Sequence, residues 1–163
     1  MSRSGQLQPA IQRVCDALAA QGIQPHVREF AVSTRTAGDA AAAIGTSPAR
    51  IVKSLVFIAG DQPILVLGSG ANRVDTAKLR AVTGQAVRRA SPDEVRAVTG
   101  FAIGAVPPLG HTRRVTVYVD RDLLQHQMVW AAAGSPHAVF PIPPDDLVRV
   151  AGGQVLDVKD DSA

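Results

Sequence analysis

The sequence predicts an α+β domain: a curved, mostly antiparallel mixed sheet flanked by helices. Three observations lead there. Apolar, β-branched segments of strand length outnumber helical ones in the second half of the chain, and short turns join them. Ser54–Ala59 and Ile64–Leu67 are separated by Gly60-Asp61-Gln62-Pro63 and read as a hairpin. Gly68 and Gly70 lead to no third glycine at the spacing a dinucleotide-binding turn requires, which argues against a doubly wound fold.

The elements follow in order. Leu7 to Ala20 places Leu7, Ile11, Val14, Leu18 and Ala19 near helical spacing, and Gly22 can close that helix. His26–Phe30 alternates polar and apolar and reads as a short strand. Thr36 to Ile44 is alanine-rich, with Thr36 as N-cap and Gly45 as stop, and Ser47-Pro48 opens a short helical turn. After the hairpin, Asp75 can cap a helix through Val82, and Ala86–Arg88 reads as a strand. Ser91 with Glu94 three residues on forms a capping box, and Pro92 sits at the first helical position of a helix through Val98. Arg114–Val119, Met128–Ala132 and Ala138–Ile142 read as strands. Pro143-Pro144 starts a last short helix, and the polar tail after Asp157 is expected to fray.

The chain of 163 residues fits one domain, 1–163, with an N-terminal helical segment (1–22) and a flexible tail (158–163). Apolar residues make up 46%, enough for a packed core. No apolar run approaches the ~20 residues that span a bilayer, and Met1–Pro9 lacks the order of a signal peptide, so a cytoplasmic location is expected. One cysteine, Cys15, excludes an internal disulfide, and the four histidines lack metal-ligand spacing. Neither metal nor cofactor is expected. The net charge of +3 rests mostly on arginine, which suits a polyanionic partner but equally suits a GC-rich coding sequence.

Three features could carry chemistry. Lys53 stands at the mouth of the apolar run Ile51–Phe57. It is either a solvent-facing strand residue or an ammonium aimed into a cleft, where it can hold a phosphate or carbonyl oxygen. The loop Gly104-Ala105-Val106-Pro107-Pro108-Leu109-Gly110 is either an ordinary turn or a stiff segment whose backbone sizes a small substrate. His137, after Gly134-Ser135-Pro136, is either an exposed turn residue or a donor to a substrate hydroxyl or water. Arg73 is a candidate phosphate contact, and Asp75 a helix cap beside it. Asp120 reads as the start of a turn, Cys15 as a buried thiol, and Trp130 and Tyr118 as sheet residues.

In this order the segments Ala41–Gly45, Ile51–Phe57, Asn72–Leu79 and Thr99–Gly104, the Pro107-Pro108-Leu109-Gly110 loop and the pair Val119-Asp120 resemble the YbaK/ProX family. These are free-standing aminoacyl-tRNA deacylases related to the editing insert of bacterial prolyl-tRNA synthetase. The likeness runs from about Thr36 to Asp157. It implies the editing-domain fold and a hydrolase that clears mischarged tRNA by cutting the aminoacyl ester. Lys53, Gly104, Pro108 and His137 then carry catalysis. Ala105, Val106, Pro107, Leu109, Gly110, Gly134, Arg73 and Asp75 contact substrate.

The Pro-Pro loop with Ser135-Pro136-His137 looks most like the ProXp-x branch, which implies tRNA(Pro) carrying alanine or 2-aminobutyrate. Ala105 and Pro107 stand where many relatives have Gly and Ser. Cys-tRNA(Pro) is the alternative substrate, and a non-catalytic module binding aminoacyl-tRNA or a synthetase is the alternative function. The implied partners are the acceptor end of charged tRNA and a prolyl-tRNA synthetase; neither DNA nor a membrane is among them.

Overall fold

The computed structural model describes residues 8–162. Leu7 and the first residues of the expected N-terminal helix lie outside the described residues. Helix α1 (Pro9–Ala20) begins with proline at its first turn and buries Ile11, Val14, Cys15 and Leu18, one apolar stripe. The strand expected at His26–Phe30 is only Arg28–Glu29, β1. Helix α2 (Ala37–Ile44) starts where Thr36 Oγ1 accepts Asp39 N–H and stops at left-handed Gly45. A 3-10 turn, Pro48–Arg50, leads into the hairpin β2 (Val52–Ala59) and β3 (Gln62–Ser69).

Helix α3 (Thr76–Thr83) is capped by Asp75, whose carboxylate accepts Ala77 N–H. Strand β4 (Val87–Arg89) precedes helix α4 (Pro92–Thr99), where Ser91 and Glu94 form the expected capping box. Arg88 grips the same Glu94 carboxylate, and with the cap it pulls that carboxyl down to about 2. The remaining elements are β5 (Thr116–Asp120), a 3-10 helix (Arg121–Gln125), β6 (Val129–Ala132), β7 (Ala138–Ile142), α5 (Pro144–Ala151) and β8 (Gly153–Leu156).

The architecture is α+β, as expected, but the strands divide into two sheets rather than one curved sheet. The larger runs β4-β2-β3-β5-β8, and the smaller β1-β7-β6. Pairing is antiparallel except for β3–β5 and β5–β8. A single backbone bridge, Ile51 to Trp130, joins the sheets among the described residues. Strand β3 is buried on both faces. Leu65 and Leu67 enter the main core with α1 and Phe140, while Ile64 and Val66 enter a second cluster with Leu79 and Tyr118. Double burial explains why β3 reads as a continuous apolar run.

Besides the shorter β1 and a β5 that starts at Thr116 rather than Arg114, two segments differ from expectation. Strand β8 was not foreseen, because Gly153–Leu156 is short and alternates weakly; it exists by parallel pairing with β5. The tail after Asp157 is anchored at least to Asp160: Val158 is 1% exposed, and its carbonyl accepts Asp75 N–H. Lys78 Nζ reaches Asp157, Asp161 and the Lys159 carbonyl.

Gly134 shows what close approach demands. Its φ is +92°, and a Cβ there would sit 2.7 Å from the Ala10 carbonyl oxygen of α1. Gly134→Ala is therefore expected to lower unfolding free energy by about 1–3 kcal/mol, read by urea denaturation. An unchanged midpoint would mean that the turn moves off α1 freely.

Candidate functional site

Side chains alternate along β2, so Lys53, Leu55 and Phe57 share one face while Val52, Ser54 and Val56 share the other. Strand β4 pairs with β2 only at 57–59, and the bridge to Trp130 is at Ile51. Residues 52–55 between these points have a strand neighbour, β3, on one side only. A cleft of about 370 Å³ opens at this bare edge. Ile51–Leu55 form one wall, Ile103, Gly104 and Val106 a second, Trp130–Ala132 and Val139 a third, and Thr34–Ala37 with Ala40 the mouth. The lining is mostly apolar and small. Ser54 Oγ, sealed from solvent, has no hydrogen-bond partner among the described residues.

Lys53 also borders a wider cavity, about 680 Å³, with Asn72, Arg73, Arg89 and Lys159. Its ammonium donates to the Asn72 carbonyl. Burial, then neighbouring Arg89, lowers its pKa from the ordinary lysine value; Asp120 pulls the other way, and Arg73 adds to the lowering. Asn72 is itself held. Its amide donates to Asp120 Oδ2 at 2.9 Å and to Asp122 Oδ2 at 2.8 Å. Asp120, 1% exposed, also accepts Ser69 N–H and Asp122 N–H, both at 3.0 Å. The turn expected at Asp120 is present, as the cap of the 3-10 helix. Its contact with Asn72 and Ser69 has no local signature in the sequence.

The glycine-proline loop is divided between two places. Gly104 (φ +85°) and Val106 line the cleft; Arg35 crosses over Gly104, where a Cβ would lie 2.6 Å from Arg35 Cγ. The Ala105 N–H donates to the Ala102 carbonyl, and neither the Gly104 nor the Val106 amide donates to a backbone carbonyl among the described residues. Ala105 and Pro107 are buried without bordering the cleft. Pro108, Leu109 and Gly110 face a different depression beside His111 and Val150. His111, whose pKa burial lowers, donates from Nε2 to the Pro107 carbonyl at 2.7 Å and so braces the loop from behind.

His137 does not line the cleft. Its Nδ1 donates to the Val32 carbonyl at 3.1 Å, and the adjacent Pro136 carbonyl accepts Thr34 N–H and Thr34 Oγ1. It thus sits behind the segment that forms the mouth. Gly134 packs against α1, and Asp75 caps α3; neither borders the cleft. Arg73 meets Lys53 in the wider cavity. Arg35, Trp130, Ser54, Asn72 and Arg89 are site residues the sequence reading did not select. Trp130 lies 5.5 Å from the Arg28 guanidinium. Among the described residues no group of His, Cys, Asp or Glu could hold a metal ion, and no helix is long and apolar enough to cross a membrane.

Fold and site together define an α+β domain with a small cleft at a bare strand edge, beside a half-buried lysine. The chain belongs to the aminoacyl-tRNA editing domain family, whose model matches residues 31–150. It is similar to a solved structure described as a candidate trans-editing enzyme for prolyl-tRNA synthetase. That identity is 46%, the TM-score 0.90, and the match covers 95% of this chain and 99% of that one. A scaffold protein from work on computational grafting of linear epitopes matches at 39% identity and TM-score 0.89, over 94% of this chain and 99% of its own. The uncharacterized protein YwhH of Bacillus subtilis (strain 168) is 39% identical over 130 residues, 79% of this chain and 83% of its own length.

Proposed function

We propose that this chain hydrolyses the ester joining a wrongly attached small amino acid, alanine or 2-aminobutyrate, to tRNA(Pro). The observation that carries the reading is the meeting of Lys53, Gly104 and Val106 around one small cleft. An aminoacyl ester is already activated, so water can attack its carbonyl without a strong protein nucleophile. The Gly104 and Val106 amides face the developing oxyanion, and Lys53 holds the terminal nucleotide. The ester C–O bond breaks, and the ribose oxygen leaves with a proton supplied through the attacking water or the neighbouring hydroxyl. Positioning supplies most of the rate. His137 acts at one remove by steadying the mouth.

Choice among amino acids is steric. Ala40, 1% exposed, lines the cleft. Ala40→Leu fills part of it and is expected to reduce clearance of 2-aminobutyrate more than that of alanine, by about 10-fold or more, since one methylene decides about 1–3 kcal/mol. The assay is release of free amino acid from tRNA(Pro) charged in turn with alanine, 2-aminobutyrate, serine, cysteine and proline. Turnover on alanine or 2-aminobutyrate, with proline untouched, is the expected result. Turnover on cysteine alone would reassign the substrate, and tight binding without turnover on any charge would overturn the hydrolase.

A further inference from the structure

The wider cavity on the other side of Lys53 collects positive charge from separate parts of the chain. Lys53 comes from β2, Arg73 from the loop before α3, Arg89 from β4 and Lys159 from the C-terminal segment, against one bordering carboxylate, Asp160. Arg73, Arg89 and Lys159 form no ion pair within 4.0 Å among the described residues, whereas Lys78, Arg88, Arg121 and Arg149 all do. The placement is held by structure. Lys159 is fixed by an isolated bridge to Val74, and the Arg73 carbonyl accepts Asp160 N–H at 2.7 Å. The Arg89 guanidinium lies 5.6 Å from the Phe57 ring. Gathering four cationic side chains in a concave wall beside a single bordering carboxylate is unfavourable in the free protein, and a bound polyanion relieves it. Arg89 and Arg73 both disfavour the charged form of Lys53, and Asp120 favours it.

We propose that this basic cavity is a phosphodiester subsite that holds the last internucleotide phosphates of a single-stranded RNA 3′ end, while the ester group crosses the bare edge of β2 into the smaller cleft. The proposal rests on the reading of the chain as an aminoacyl-tRNA hydrolase and adds a second compartment to it. Lys53 is the shared wall, so an RNA end anchored by its phosphates presents its terminal ester beside Gly104. Arginine suits phosphate through its fork of donors, and Lys159 adds a point charge.

The test is the double variant Arg89→Gln with Lys159→Gln, checked for an unchanged melting temperature. Two measurements are made: binding of uncharged tRNA against salt, and hydrolysis of alanyl-tRNA alongside an alanyl ester of adenosine that has no phosphate. Loss of two phosphate contacts on a single strand is expected to flatten the slope of log K against log salt by about 1.4. The ratio of kcat/KM for alanyl-tRNA to that for alanyl-adenosine is expected to fall at least 10-fold. An unchanged slope and ratio would overturn the subsite while leaving the hydrolase intact. Equal losses on both substrates would overturn it too, by moving the two residues to the reacting ester. If the native chain hydrolyses neither substrate, the hydrolase reading fails, and the salt slope alone still decides whether the cavity holds phosphates.

Discussion

Lys53→Ala is expected to hydrolyse charged tRNA about 100- to 1,000-fold more slowly than the native chain, the loss typical of removing one preorganised electrostatic contact. The ammonium is half-buried, borders both cavities and is tethered to the Asn72 carbonyl. Lys53→Arg is not expected to restore the rate, because a planar guanidinium cannot reproduce a compact ammonium in that position. Stability should move the other way. Folding lowers this lysine's pKa, so its charge is unfavourable in the folded state at neutral pH, and the penalty fades as pH rises through the shifted value. Lys53→Met should therefore melt no lower than the native chain at pH 7. The same sign predicts that activity depending on the ammonium falls on the alkaline side below the ordinary lysine range of about 10.4. A Lys53→Ala chain with native kcat/KM would remove this residue from the reaction.

The largest loss of stability is expected at Asp120. Its buried carboxylate accepts from Ser69 N–H, Asn72 Nδ2 and Asp122 N–H, tying the end of β3 to the start of the 3-10 helix. Asp120→Ala orphans all three donors and should lower unfolding free energy by about 3–5 kcal/mol. Asp120→Asn keeps the shape, replaces one acceptor by a donor, and should lose less. Asp120 is also expected to position Lys53: it holds Asn72, whose carbonyl accepts the ammonium, and its charge raises the lysine pKa. In Asp120→Asn the alkaline limb of the pH–rate profile should accordingly shift to lower pH. Urea denaturation and a pH–rate series on this variant separate the two roles. A destabilised chain with an unmoved alkaline limb would leave Asp120 purely structural.

What the sequence made legible was local. The Thr36, Asp75 and Ser91–Glu94 caps, the Gly45 stop and the β2–β3 hairpin all depend on side chains within a few residues of the backbone they serve. What stayed hidden was long-range. Asp120 meets Asn72 across 48 residues and Ser69 across 51, and no spacing rule encodes either contact. Strand β8 depends on a parallel partner, and the tail depends on a groove beside α3. Lys53 was legible because an isolated lysine in an apolar run is unusual. The loop was legible as a loop only, since the turn from Val106 to Pro108 carries its second half to another surface. His137 was visible as a residue, but its tie to Val32 required the fold.

The seam between the sheets has an evolutionary consequence. The cleft lies where strands part, beside the lone Ile51–Trp130 bridge, and Ala37, Ala40, Ile51 and Trp130 form a satellite cluster separate from the main core. The space therefore opens at a gap in the ladder, with Val52, Val106 and Ala131 of the main core behind it. Arg35, exposed at the mouth, can change with little toll on folding, whereas buried Ala40 and the cap Thr36 cannot. One scaffold can in this way be retuned to successive guests, the selectivity drifting while the framework stays put.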